Sequence, residues 1–219
     1  MKHTYLSLTA VLLLVLTANT PVSANLLADS GFDSMAVQEI KWDTTPWWGG
    51  GGGGTASGGG SWVTDSNSKS APHSATLFLY GSNWAYSMIA QTIESGINPG
   101  TQYAASAFFN RQSDITPGGA LFKIEWLNAG GGVIKTDEGA SLFNNTYTAG
   151  LWHSLSDIFT APTDTVGAKY EIVFSKTGAG DPNDIWVDDA SFDVVPEPTS
   201  IVLLGLGLVG LISITRRKR

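Results

Sequence analysis

The 219-residue chain contains no cysteine. No disulfide framework stabilises it, and thiolate nucleophiles and thiolate metal sites are excluded. Histidine is nearly as scarce: His3, His73 and His153 share no motif spacing, and neither a Gly-x-Ser-x-Gly elbow nor a His-Glu-x-x-His pair occurs. Glu125 and Asp157 offer a carboxylate pair for glycoside hydrolysis, but no sequence feature sets them the ~5–9 Å apart that such chemistry needs. No enzyme is expected. Between the two terminal segments no fifteen-residue window carries a capped helical stripe, so long amphipathic helices are excluded as well.

The N-terminus is rich where the rest is poor. Lys2 and His3 form a short basic start, Leu6–Leu16 is apolar, and the polar stretch after it ends in Val22-Ser23-Ala24. Small residues at the last and third-last positions suit signal peptidase, so residues 1–24 read as an export signal cut after Ala24. The body, residues 25–195, keeps seven basic and eighteen acidic residues, a net charge of −11 against −7 for the whole chain. Such a surface repels a phosphate backbone, and nucleic acid is excluded as a partner.

The C-terminus holds a second apolar segment. Thr199–Thr215 is seventeen residues without a charge, which as a helix reaches ~25 Å and sits at the lower limit for spanning a bilayer. Arg216-Arg217-Lys218-Arg219 resists translocation and would stay in the cytoplasm, leaving the body outside. Two roles fit: a permanent anchor, or a sorting signal cut at the turn before the span. The order Val195-Pro196-Glu197-Pro198, apolar helix, basic end resembles a PEP-CTERM sorting segment. That resemblance implies an exported protein of a polysaccharide-producing Gram-negative bacterium, held transiently in the inner membrane and processed near Pro196, Glu197 and Pro198 by an exosortase. Its destination would be the cell surface or extracellular matrix.

The body reads as β structure. Ala75–Tyr80, Tyr86–Ile93, Tyr103–Asn110, Leu121–Leu127, Leu151–Phe159, Tyr170–Ser175 and Ile185–Val194 are short, rich in β-branched and aromatic residues, and mostly separated by Gly, Pro, Asn or Asp clusters. Phe122, Ile124 and Trp126 alternate with Lys123 and Glu125, as in a strand buried on one face. Many strands without intervening helices predict an all-β two-sheet sandwich. "NLLADSGFDS", "QTIESGINPGTQYAASAFF", "LWHSLSDIFTAPTDTVGAKYEIVF" and "WVDDASF" resemble, in that order, the opening, middle and final strands of family 4/9 carbohydrate-binding modules. The resemblance implies a jelly-roll β-sandwich of the galactose-binding-like type.

It also implies a structural calcium. In the resembled modules the acidic residue after Gly-Phe and an aspartate of the late Asp-Asp pair hold the ion, here Asp33 with Asp188 and Asp189. Asp29 lies in the same opening segment, and carboxylates beside backbone carbonyls make a hard-oxygen site.

The departure from that pattern is "PWWGGGGGGTASGGGSW". Nine glycines fill no core and predict a mobile loop over residues 47–62. Trp47, Trp48 and Trp62 bracket it, either to stack on sugar rings, whose C–H faces are apolar, or to fold back onto the sandwich. Trp84, beside Asn83 and Tyr86, is a second candidate contact, whereas Trp126 and Trp152 lie in strand alternations and read as core. Two functions follow: a non-catalytic module binding extracellular polysaccharide through Trp47, Trp48, Trp62, Trp84 and Tyr86, or a structural surface protein with no glycan ligand.

Overall fold

A computed structural model describes residues 25–112, 118–141, 148–177 and 183–196. The expected export signal, the apolar C-terminal segment expected to be helical, Glu197 and Pro198 lie outside the described residues. Where β-branched and aromatic residues alternate, the chain is a strand: β3 (Ser74–Tyr80), β4 (Ala85–Ile93), β5 (Gln102–Arg111), β6 (Gly118–Leu127), β8 (His153–Thr160), β9 (Gly167–Lys176) and β10 (Asn183–Val194) match the seven predicted segments, except that Leu151 and Trp152 precede β8 and Trp152 is half-buried instead of core. Three more strands complete the set: β1 (Trp48–Gly53), β2 (Gly58–Thr64) and β7 (Val133–Glu138).

Two antiparallel sheets result, ordered β1-β4-β9-β6-β7 and β2-β3-β10-β5-β8. They are called here the β9 sheet and the β10 sheet, after their central strands. Asn25–Val195 forms one unit, and its core is the layer between the sheets. Phe122, Ile124 and Trp126 are fully buried, while Lys123 and Glu125 stand on the outer face, as the alternation requires. Tyr170 sits at the centre, its ring 5.7 Å from Phe122, 5.8 Å from Phe192 and 6.0 Å from Trp47. Its hydroxyl donates to the Ser106 carbonyl at 3.0 Å, so the buried polar atom is satisfied. Complete burial pushes the Tyr170 phenol well above its ordinary value.

The expected opening strand does not form. Asp29 and Phe32 take positive φ values of 47° and 62°, which break an extended ladder. The segment is instead pinned along β10: Leu26 N–H donates to the Phe192 carbonyl at 3.0 Å and Ala190 N–H to the Ser30 carbonyl at 2.9 Å.

The glycine-rich stretch is the larger correction. It is not a loop but the two edge strands β1 and β2, one in each sheet, joined by a tight turn. A Cβ added at Gly51 would lie 2.2 Å from the Gly59 carbonyl oxygen, and one at Gly59 2.3 Å from that of Tyr86. The two sheets therefore meet here backbone against backbone, at a separation that only glycine permits. Serines close the seam: Ser61 Oγ donates to the Met88 carbonyl at 3.3 Å and Ser87 Oγ to the Gly60 carbonyl at 2.5 Å.

Candidate functional site

The five aromatic residues expected to contact ligand separate into three places. Trp47 belongs to the core: it is wholly buried, packs against Phe32 at 4.9 Å, and donates its indole N–H to the Asp29 carbonyl at 2.9 Å. This corrects the expectation of a ligand contact at a loop tip, because a ring held on all sides offers no face to a sugar. Trp62 stands on the outer face of the β10 sheet, in register with Thr76. Trp48, Trp84 and Tyr86 share the outer side of the β9 sheet, where Trp48 pairs with Ala90 and Tyr86 with Gly52.

Trp84 and Tyr86 form the best-defined surface feature. Their rings are parallel to within 1°, their centroids are 6.4 Å apart, and they are 53% and 38% exposed. Trp84 immediately precedes β4 and Tyr86 is its second residue, so the spacing matches the ~6.6 Å between residues two apart on extended chain. Glycine makes room for the rings. A Cβ at Gly52 would lie 2.9 Å from Tyr86 Cε1, and one at Gly54 3.1 Å from Trp84 Nε1. The rings thus reach sideways over the neighbouring strand. Asn83 steadies the adjoining turn, its side-chain amide donating to the Thr55 carbonyl at 2.8 Å.

Further along the same face lies a charged ladder. Lys123 Nζ is 2.8 Å from Glu125 Oε1 and 2.9 Å from Glu171 Oε2, and Lys169 Nζ is 3.0 Å from Glu125 Oε2. Register brings it beside the tryptophan, since Trp48 pairs with Ala90, Ala90 with Glu171 and Glu171 with Lys123. Burial dominates at Glu171 and raises its carboxyl above the ordinary value despite Lys123. At Glu125 burial also works against the charge, but the two ammonium groups outweigh it and hold the carboxyl below the ordinary value. Asp157 is on β8 in the other sheet and accepts the Ala140 N–H at 2.8 Å, so it forms no pair with Glu125.

The acidic residues expected at a metal divide in the same manner. A Cβ at Gly31 would lie 3.1 Å from Asp33 Oδ2 and 3.7 Å from Asp188 Oδ1, so these two carboxylates converge beneath that glycine. Asp29 Oδ2 is buried without a partner. Asp188 also accepts the Lys69 and Ser70 N–H groups at 2.8 and 2.9 Å. Asp189 is committed elsewhere, its Oδ2 2.9 Å from Lys69 Nζ and its Oδ1 2.6 Å from Ser70 Oγ. Among the described residues, no group of three or more His, Cys, Asp or Glu side chains gathers as a metal cluster. The two convergent carboxylates, Asp33 in the opening segment and Asp188 on β10, suit a hard, oxygen-ligated cation completed by carbonyl ligands.

The strand alternation also puts Thr76, Phe78 and Tyr80 on the outer face of β3, and Trp186 beside Thr76 on β10. Phe78 and Tyr80 do not stand out in the sequence, because "ATLFLY" reads as an ordinary core strand; only its i, i+2 spacing carries the signal.

Residues 194–219 match the PEP-CTERM protein-sorting motif, which marks the chain as an exported protein bearing an exosortase sorting signal. No curated protein matches the sequence. Several solved structures share the fold. The enzymatically active domain of bacteriophage CBA120 tailspike protein 4 is 13% identical with a TM-score of 0.54, covering 78% of this chain and 21% of its own. A carbohydrate-binding module of the β-sandwich superfamily is 12% identical with a TM-score of 0.51, covering 75% and 63%. A cyclase from Fischerella sp. TAU is 13% identical with a TM-score of 0.52, covering 81% and 100%. The chain thus spans about a fifth of the tailspike chain and just under two thirds of the module's. At these identities the likeness shows the two-sheet sandwich and nothing finer.

Proposed function

We propose that this is an exported, non-catalytic protein of the cell surface or matrix, whose jelly-roll sandwich of the galactose-binding-like type binds polysaccharide on the outer face of the β9 sheet. The observation that carries the reading is the exposed, parallel Trp84–Tyr86 pair. Parallel rings at strand spacing present two apolar faces in one direction, which suits successive sugar rings of an extended glycan. Trp48 and the Lys123–Glu125–Glu171 ladder lie further along the same face and supply stacking and hydrogen-bonding groups. By analogy with base stacking, each ring contributes ~1–3 kcal/mol. A site of this size reaches millimolar to tens of micromolar affinity, ~4–6 kcal/mol in total.

Binding of the mature exported protein to a polysaccharide array tests this. Trp84→Ala and Tyr86→Ala should each weaken retention at least fivefold while the protein stays folded, with a far smaller drop in melting temperature than Trp126→Ala, since both side chains are exposed and lie outside the core. If the parent binds and these variants bind equally well, the pair is not the site. If the parent retains no polysaccharide, a structural surface protein without a glycan ligand takes its place.

Calcium is proposed as a structural ion held by Asp33 and Asp188 near Gly31, with Asp189 left to its ion pair with Lys69. An ion bound to the folded state alone stabilises it by ~2.7 kcal/mol at a hundredfold excess over Kd. Chelator should therefore lower the melting temperature of the parent and leave Asp33→Ala unmoved. An unchanged parent melting curve would remove the metal.

A further inference from the structure

The outer face of the β10 sheet repeats, with different residues, the construction seen around Trp84 and Tyr86. On β2 the outward positions are Gly58, Gly60 and Trp62; their partners on β3 are Tyr80, Phe78 and Thr76. A Cβ at Gly58 would lie 2.6 Å from the Tyr80 hydroxyl, and one at Gly60 2.6 Å from Phe78 Cζ. The two rings therefore lean over the glycines, as Tyr86 and Trp84 do on the far side of the same hairpin. Tyr80 is 50% exposed and Trp62 44% exposed. Cross-strand packing alone accounts for the half-buried Phe78, but not for two large rings left open to solvent.

A polar group completes the surface. Asp184 on β10 is the register partner of Phe78. Its backbone carbonyl accepts the Gln112 N–H at 3.1 Å, while among the described residues no donor reaches its carboxylate. Burial raises that carboxyl above its ordinary value. A half-buried carboxylate beside apolar rings, with no donor to it among the described residues, has lost part of its water, which is the condition in which an incoming pair of hydroxyls is most favourable.

We infer that Trp62, Phe78 and Tyr80 with Asp184 form a second glycan-binding site on the outer face of the β10 sheet, opposite the first. Its ligand is a neutral, hydroxyl-rich polysaccharide: rings take the C–H faces, the carboxylate accepts hydroxyl protons, and a body of net charge −11 disfavours polyanions. The inference rests on the reading of the first face, and it adds a different capacity. A domain with a site on each outer face holds two strands at once and cross-links them.

The test uses the mature exported protein with xylan, β-glucan and galactan. Oligosaccharides of each give the number of sites by calorimetry, and the long polymers give cross-linking by viscosity and turbidity. The parent should show two sites per chain and thicken the polymer. Trp62→Ala/Tyr80→Ala should leave one site and abolish thickening while retention persists; Trp84→Ala/Tyr86→Ala should do the same through the other face. Asp184→Asn should weaken the second site about tenfold or more at an unchanged melting temperature, which separates a ligand role from a packing role. One site in the parent, with stoichiometry unmoved by Trp62→Ala/Tyr80→Ala or by Asp184→Asn, overturns the second site and leaves the first standing. A parent that binds none of the polymers overturns both.

Discussion

The β1–β2 edge and the β6–β9 centre are both antiparallel β structure, yet they are held by opposite means. At the centre, Phe122, Ile124 and Trp126 from one strand and Tyr170, Ile172 and Phe174 from its neighbour fill the space between the sheets with side chains. At the edge, Gly51 and Gly59 bring the main chains together with no side chain between them. The first arrangement is stabilised by removing apolar area from water, the second by dispersion contact and serine hydrogen bonds at very short range. The comparison teaches that a run of glycines, with its high entropic cost, becomes a strand when close approach and overlying aromatic rings compensate for the missing side chains.

The largest expected effect is at the centre. Trp126→Ala should destabilise by ~3–5 kcal/mol through the cavity it opens, and it also strips the Asp137 carboxylate of the indole N–H that reaches it at 2.7 Å. Trp47→Ala should cost a similar amount although it adjoins the glycines, because its ring packs on Phe32 and Tyr170. Thermal or denaturant unfolding decides both. A Trp47→Ala protein as stable as the parent would place that ring outside the core.

A smaller effect sharpens the edge itself. Gly59→Ala drives a methyl group into the Tyr86 main chain and should cost ~1–3 kcal/mol or more. Gly50→Ala, at a position where an added Cβ meets nothing within 4 Å, should be neutral or raise stability by up to ~1 kcal/mol, by restricting the unfolded chain. Equal effects at the two positions would mean that the strands do not meet as described.

The smallest expected effect concerns pH. Glu171 is held above its ordinary value of 4.5, so the folded state takes up its proton first, and stability should rise slightly as pH falls toward 4.5. Glu125 is held below 4.5; its contribution is present above that value and is lost as pH falls below it. A shallow maximum in melting temperature near the ordinary glutamate range is expected in the parent, flattened on its high-pH side in Glu171→Gln.

Much of this was legible in the chain because side-chain alternation is a strong signal. All seven alternating segments are strands, and Lys123 and Glu125 face outward as their spacing requires. The glycine strands were not legible: without side chains they have no alternation, and their stability comes from partners distant in sequence, such as Tyr86 over Gly52. For the same reason the sequence grouped Trp47, Trp48 and Trp62 as one loop, while the fold sends them to the core and to two opposite faces. Trp84 and Tyr86 were visible as neighbours, but only the strand makes their rings parallel. β7 was missed because "VIKTDE" is exposed along nearly all its length and pairs only with β6.

The placement of β10 has a mechanical consequence. The body's last residues leave from the end of this strand, where Val195 N–H is bound to the Gln102 carbonyl at 2.8 Å. Tyr80 and Trp84 lie toward its other end, because Asn183 at the start of β10 pairs with Leu79. Twelve residues of extended chain put ~40 Å between the body's C-terminal end and the ring-bearing hairpin. If the proposed site grips a glycan at the hairpin, a pull between that glycan and the C-terminal end of the body runs along β10, which is flanked on both sides by β3 and β5. Such a load shears the rows of hydrogen bonds together instead of peeling them one at a time, so the strand from which the body's C-terminal residues leave is also the one best placed to bear tension.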